Sequence, residues 1–100
     1  IEDANLLERL GCFALVLEKI PASLAQKVAE SINIPVIGIG AGGGVDGQVL
    51  VLHDMLGMTQ EFHPRFLRRY MSLHEKMTSA ISEYISDVKS SEFPNENEQY

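Results

Sequence analysis

The residue of this chain best placed for chemistry is Glu18, which directly follows the unbroken apolar run of residues 13–17. A run without polar alternation is typical of a strand buried on both faces, and such strands belong to parallel sheets. A carboxylate at the end of that strand loses part of its hydration, which suits it to general-base work. The alternative is a solvated loop glutamate or one partner of a salt bridge.

A glycine-rich loop follows the second apolar run. Residues 38–43 match G-x-G-x-x-G, the dinucleotide-binding fingerprint. That motif requires a helix and a second strand ending in an acid about 20 residues on, whereas only ten residues separate Gly43 from Asp54. Two interpretations remain open: a tight turn close to neighbouring backbone, or a loop that lines a ligand site at a strand end. For the second, Gly40, Gly42 and Gly43 are the candidate residues.

The histidines and the cysteine give weaker signals. His53 and Asp54 are adjacent, so on a helix their side chains point about 100° apart, which favours a structural hydrogen bond or cap over a metal or relay. His63 and His74 have no partner at ligand spacing, and we assign them no role. Cys12 is the single cysteine, which excludes an internal disulfide and suits a reducing cytoplasm.

The elements that must position these residues alternate between helix and strand. Residues 4–10 fit the end of an amphipathic helix, and Pro21 suits the first turn of a second helix that carries Leu24, Val28 and Ile32. The predicted strands are residues 13–17 and 35–39. This order is typical of an α/β fold with a parallel sheet.

The C-terminal half has a different pattern. Residues 48–52 fit a strand or a short helix, and we favour a helix because Asp46 or Gly47 suits a helix start. After Pro64 we predict one long helix, since apolar residues recur every three or four positions: Phe66, Tyr70, Leu73, Met77, Ile81, Tyr84 and Val88. This stripe is a packing face, long enough to suggest contact with another subunit. Residues 1–89 would form the domain portion, and residues 90–100 a polar tail.

Composition narrows the class of protein. The 100 residues are 45% apolar, and 14 acids against 8 bases give a net charge of −6. That balance argues against a nucleic-acid or anionic-membrane surface, and no apolar run has the ~20 residues of a membrane span. We therefore expect a soluble, cytoplasmic protein.

The chain has no initiator Met, and two buried strands cannot complete a sheet. We expect an upstream segment or another chain to supply the missing strands.

Several of these segments together resemble one enzyme family. They are Phe-Ala-Leu-Val-Leu-Glu at 13–18, Ile-Pro-Val-Ile-Gly-Ile-Gly-Ala-Gly at 34–42, Asp-Gly-Gln-Val-Leu-Val at 46–51, His53-Asp54, Pro64-Arg65-Phe66 and Phe93-Pro94. The combination resembles the C-terminal part of the ketopantoate hydroxymethyltransferase family. The resemblance implies a (β/α)8 barrel, in which residues 13–17 and 35–39 are strands seven and eight, followed by a long C-terminal helix.

The resemblance also implies an activity. The family transfers a hydroxymethyl group from 5,10-methylenetetrahydrofolate to 3-methyl-2-oxobutanoate, giving 2-dehydropantoate on the route to pantothenate and coenzyme A. Glu18 matches the family's proton acceptor. The family's Mg²⁺ chelates the keto acid as a Lewis acid, and its ligands lie on earlier strands that have no counterpart here. The expected partners are the missing N-terminal barrel segment and further copies of the same chain.

The sequence departs from the family pattern in two further places. The loop has Gly42-Gly43-Gly44-Val45 where the family commonly has an Asn and then Gly-Thr, and the tail lacks the usual Glu-His pair. We expect the isolated chain to be inactive. Two alternatives stay open: a non-catalytic split-barrel or assembly module, and a phosphate-binding barrel end, since barrels commonly bind phosphate near strands seven and eight.

Overall fold

The computed structural model describes all 100 residues and contains both helices and strands. The elements are α1 (Glu2–Arg9), β1 (Leu15–Glu18), α2 (Ala22–Ser31), β2 (Val36–Ile39), β3 (Gly47–Gln48), α3 (Leu52–Met55) and α4 (Leu73–Ser90). The chain forms two compact units: residues 1–51 with 63–68, and residues 52–62 with 69–100. The predicted mixture of helices with a small parallel sheet is confirmed.

The sheet of the first unit has the order β1-β2-β3, and both pairings are parallel. Leu15 lies opposite Val36, and Glu18 lies opposite Ile39. Because opposed residues share a face of a sheet, the register sorts the side chains into two sets. Leu15 and Leu17 lie on one face, and Val16 and Glu18 lie on the other.

Only one face of the sheet has a core against it. Leu15 and Val36 are buried together with Ala4 of α1 and with Val28 and Ile32 from α2 and its C-terminal end. On the opposite face Val16 is 64% exposed. Helices of this chain therefore cover one face of the sheet and leave the other uncovered.

The first strand is shorter than its apolar run. Strand β1 begins at Leu15, whose N–H donates to the carbonyl of Pro35 at 2.9 Å. Phe13 was predicted to lie in the strand but precedes it and is 88% exposed. The pairing partner sets this boundary, because the register with β2 starts at Leu15.

The helix favoured for residues 48–52 is wrong. Gly47 and Gln48 form the short strand β3, and α3 holds only Leu52–Met55. The backbone N–H groups of Asp46 and Val49 donate to the β2 carbonyls of Val36 and Gly38, each at 3.0 Å. Pairing with β2 therefore outweighs the local preference for a helix.

The predicted helix from Pro64 to Val88 is also wrong in its first part. Helix α4 begins at Leu73, so Phe66 and Tyr70 lie outside it. Arg69 Nη2 donates to the carbonyls of Thr59, Gln60 and Phe62 at 2.6–3.1 Å, and the Tyr70 N–H donates to the carbonyl of Met55 at 2.8 Å. These tertiary bonds hold the backbone before α4 in a non-helical course.

Helix α4 has no buried residue, and the stripe residues Met77, Ile81, Tyr84 and Val88 are exposed. It ends where the polar tail was expected to begin: Ser91 adopts a left-handed φ of 62°. Past this cap the ring of Phe93 meets the ring of Tyr84 edge-on, 5.5 Å between centroids. The division at residue 89 stays a prediction. None of the helices combines the length and the hydrophobicity that a membrane span requires.

Candidate active site at the carboxyl ends of the strands

Glu18 is the last residue of β1, and its partner Ile39 is the last residue of β2. It lies on the same face as Val16, the face that the helices leave uncovered, and it is exposed. The expected position at a strand's carboxyl end is therefore present. The expected loss of hydration is not supplied by residues of this chain, and the role of Glu18 as a base stays a prediction.

The backbone just after Glu18 is held in an uncommon conformation. Lys19 has a left-handed φ of 51°, and its N–H donates to the carbonyl of Ile39 at 2.8 Å. For a residue with a Cβ this conformation costs on the order of 1–2 kcal/mol. The sharp bend turns the chain into Pro21, the N-cap of α2. The backbone is therefore fixed on both sides of Glu18. Residues in strained conformations, such as Lys19, are often found at functional sites.

The glycine loop packs too closely for side chains at two of its positions. Gly40 and Gly42 have left-handed φ angles of 63° and 79°. A Cβ at Gly40 would lie 2.8 Å from the Phe66 ring, and one at Gly42 would overlap the Cβ of Ala22. Gly43 faces open space. The tight-turn interpretation therefore accounts for Gly40 and Gly42, while a ligand role for any of the three glycines stays a prediction.

Beside these two loops lies a cavity of about 720 Å³, which we call the strand-end cavity. Its wall consists of residues 19–22, Gly40, Gly42 and residues 64–66. Lys19 and Arg65 are its charged residues, and the wall contains no carboxylate. Pro21 and Phe66 add apolar surface. Sequence reasoning named neither Lys19 nor Arg65 as a site residue, because only the tertiary fold brings these two loops together.

Two polar side chains that the sequence pattern did not identify as site residues hold the loop after β2 in place. The Asp46 carboxylate accepts a hydrogen bond from the Val36 N–H at 2.8 Å. Gln48 Nε2 donates to the carbonyl of Gly42, also at 2.8 Å. The first bond links Asp46, just before β3, to the start of β2, and the second links β3 to the glycine loop. Both residues therefore hold the glycine loop in its course.

His53 and Asp54 lie in α3, within the second unit. Their backbone carbonyls accept from the N–H groups of Met58 at 2.8 Å and Gly57 at 3.1 Å. Across the chain, no group of three or more His, Cys, Asp or Glu residues is arranged to hold a metal ion. The structure thus brings neither of these side chains into a ligand cluster.

Comparison with known proteins connects this geometry to one family. A family model described as ketopantoate hydroxymethyltransferase matches residues 1–96. Over 100 residues the chain is 73% identical to a 3-methyl-2-oxobutanoate hydroxymethyltransferase of Flavobacterium johnsoniae and 72% identical to that of Parabacteroides distasonis. It is 68% identical to the same enzyme of Porphyromonas gingivalis.

In each of these three comparisons the whole chain is aligned but covers 37% of the relative's length. The chain therefore corresponds to a part of those enzymes. Because the family model spans nearly all of it and the identities are high, the chain belongs to the ketopantoate hydroxymethyltransferase family.

Proposed function

We propose that this chain is the C-terminal part of a cytoplasmic enzyme that makes 2-dehydropantoate for pantothenate and coenzyme A synthesis. The enzyme transfers a hydroxymethyl group from 5,10-methylenetetrahydrofolate to 3-methyl-2-oxobutanoate. The observation that carries the proposal is the position of Glu18 at the carboxyl end of a parallel strand, in a segment that the family model matches. Active sites of (β/α)8 barrels lie at that end of their strands.

The uncovered face of the sheet supports the barrel. In a (β/α)8 barrel one face of each strand packs on helices and the other faces the barrel interior. Leu15 and Val36 are on the helix-covered face, so Val16 and Glu18 would face the interior. One edge of β1 is also unpaired. A groove of about 210 Å³ with largely apolar walls runs beside it, between residues of α1 and α2. The remaining strands of the barrel would pair with the free edge of β1 and cover the groove.

We propose that β1 and β2 are strands seven and eight of the barrel. In the closed barrel the free edge of β2 would pair with the first strand. Strand β3 occupies that edge here, since Gly47 pairs with Ile37 and Gln48 with Gly38. Each strand of a (β/α)8 barrel is followed by a helix, and no helix lies between β2 and β3, so β3 would not be a barrel strand. Glu18 is at the carboxyl end of its strand.

In the proposed reaction Glu18 acts on the keto acid. Its carboxylate takes the proton from C3 of 3-methyl-2-oxobutanoate, the C–H electron pair passes into the enolate, and C3 then bonds to the methylene carbon of the folate. Both C–N bonds of that carbon break and water supplies the hydroxyl oxygen. The C3 proton and one proton of the water end on the two folate nitrogens, which leaves tetrahydrofolate. The fixed backbone on both sides of Glu18 would hold the carboxylate in reach of that proton. Exposure of Glu18 in this chain is consistent with a base that is enclosed only when the barrel is complete.

The residues of this chain do not fit the family's Mg²⁺, because they form no cluster of ligands. We propose that the ion is held by residues outside this chain.

Helix α4 supports a second candidate role, in assembly. Met77, Ile81, Tyr84, Ile85 and Val88 expose between 40% and 56% of their surface. An apolar face of this size is unusual on a solvent-facing helix. We propose that α4 contacts another copy of the enzyme in a homo-oligomer, which is compatible with the catalytic proposal.

The test of the catalytic proposal is proton exchange in the full-length enzyme. Glu18→Gln keeps the shape of the side chain but removes the base, so exchange of the C3 proton into heavy water should slow by ~10²–10⁴-fold. Glu30→Gln, an exposed position on α2, is the matched control and should exchange at the wild-type rate. Wild-type exchange in Glu18→Gln would show that another residue is the base.

A further inference from the structure

The charge of the strand-end cavity is opposite to that of the chain. The chain carries a net charge of −6, yet the cavity wall holds the cations Lys19 and Arg65 and no acid. Arg69 shows how this chain uses an arginine for structure, since its guanidinium donates to three backbone carbonyls. Lys19 and Arg65 instead are exposed on the cavity wall. The cavity therefore favours an anionic occupant.

The two cations are carried by segments with fixed backbones. The left-handed bend at Lys19 is held by its bond to the carbonyl of Ile39. Arg65 lies in a turn closed by the Leu67 N–H, which donates to the carbonyl of Pro64 at 3.0 Å. Phe66 in the same turn packs against Gly40, where no side chain would fit. The backbone positions that carry the two side chains are therefore defined.

The size and the apolar part of the wall indicate more than a bare ion. A volume of about 720 Å³ is within the range of small-molecule sites. Phe66 and Pro21 offer surface for a ring or an aliphatic chain beside the charges. The cavity begins at Lys19, one residue after the proposed base. The cavity therefore lies next to the carboxyl end of β1, where Glu18 is the last residue.

We propose that the strand-end cavity binds the glutamate tail of the folate co-substrate, with Lys19 and Arg65 donating to its carboxylates. This inference rests on the proposed function. The folate must present its methylene carbon near Glu18, and its opposite end is an aromatic ring followed by glutamate carboxylates. Bonds from Lys and Arg to carboxylates are charge-assisted, and arginine can bind both oxygens at once. The cavity would then hold one end of the molecule while the reacting end lies over Glu18.

The experiment measures binding and kinetics in the full-length enzyme with the double substitution Lys19→Gln and Arg65→Gln. The probes are tetrahydrofolate with one and with three glutamates, measured by equilibrium dialysis, and the corresponding methylene derivatives in turnover. We expect Kd and KM for the triglutamate to rise by roughly tenfold for each charge removed, the loss of one charge-assisted contact. The preference for three glutamates over one should shrink. The KM for the folate should rise more than the KM for the keto acid.

The matched control is Lys27→Gln with Arg68→Gln, which removes the same charges outside the cavity wall. This control should bind both folates as the wild type does. A triglutamate Kd within twofold of wild type in the Lys19 and Arg65 variant would overturn the inference. So would an equal loss in the control.

Competition with inorganic phosphate distinguishes a site for the folate tail from a site for a phosphate ligand. Phosphate that competes with the folate in the wild type, but not in the Lys19 and Arg65 variant, supports the shared anion site. Phosphate that binds in the cavity without displacing folate would overturn it. Dialysis needs no turnover, so absence of hydroxymethyl transfer by the wild-type enzyme would reject the proposed function separately from the cavity assignment.

Discussion

The two units of this chain differ in how much of their apolar surface they bury themselves. In the first unit, Leu15 and Val36 are buried against residues of α1 and α2. In the second unit, helix α4 runs for 18 residues without burying one of them. Burial of apolar surface is the main stabilising term in folding. The first unit therefore buries apolar surface of its own on one face, whereas α4 leaves most of its apolar stripe exposed.

The largest expected effect concerns the chain by itself. We expect the isolated 100 residues to show no hydroxymethyl transfer, because they lack a metal-ligand cluster and leave the Glu18 face of the sheet open. The measurement is turnover of 3-methyl-2-oxobutanoate with folate and magnesium, with the full-length enzyme as control. Turnover by the chain alone would show that the first unit already contains a complete active site.

The next effect tests whether the first unit holds the glycine loop rigidly. Gly42→Ala in the full-length enzyme adds a Cβ to a residue with a left-handed φ, and that Cβ would overlap Ala22. We therefore expect a loss of about 2–4 kcal/mol in unfolding free energy. Gly43→Ala, at a position facing open space, is the control and should cost far less. Denaturant unfolding of both variants gives the difference. Equal stability of the two would mean that the loop adapts.

A smaller loss is expected at the start of β2. Asp46→Ala removes the acceptor of the Val36 N–H and should cost about 1.5–3 kcal/mol, the range for hydrogen bonds to charged groups. Asp46→Asn retains an acceptor and should lose less. Thermal unfolding of the full-length enzyme compares the two. If Asn costs as much as Ala, the hydrogen bond is not what stabilises this turn.

The smallest effect on the stability of the protomer is expected in α4. Ile81 is 56% exposed, so Ile81→Glu should change the melting temperature of the barrel little. It should weaken assembly, because burying such a side chain contributes ~1.5–3 kcal/mol and a buried carboxylate adds a desolvation cost. Light scattering measures the oligomer, with Ser79→Glu, outside the apolar stripe, as control. An unchanged oligomer with a lower melting temperature would place Ile81 inside its own subunit.

The sequence predicted best those features that depend on local pattern. The two longer strands and the helix after Pro21 follow from runs and spacings of apolar residues. The position of Glu18 at a strand's carboxyl end was also evident from the sequence, because a charge directly follows an apolar run. The family was recognisable from the same segments, since each motif has a fixed place relative to the others.

Features that depend on a partner far along the chain were not predictable in this way. The stripe from Phe66 to Val88 is continuous in sequence, yet Arg69 bonds three carbonyls and interrupts it before α4 begins. Gly47 and Gln48 became a strand because β2 offers them hydrogen bonds.

The alternation of helices and strands, the family and the candidate base can all be inferred from the order and spacing of side chains along the chain. That Lys19 and Arg65 line one cavity cannot be inferred in this way, because α2, β2, β3 and α3 lie between them in the sequence and only the folded chain brings their loops together. The tertiary structure also decided which face of β1 carries Glu18. Register assigns alternate residues to opposite faces, and only packing shows which of those faces the helices cover.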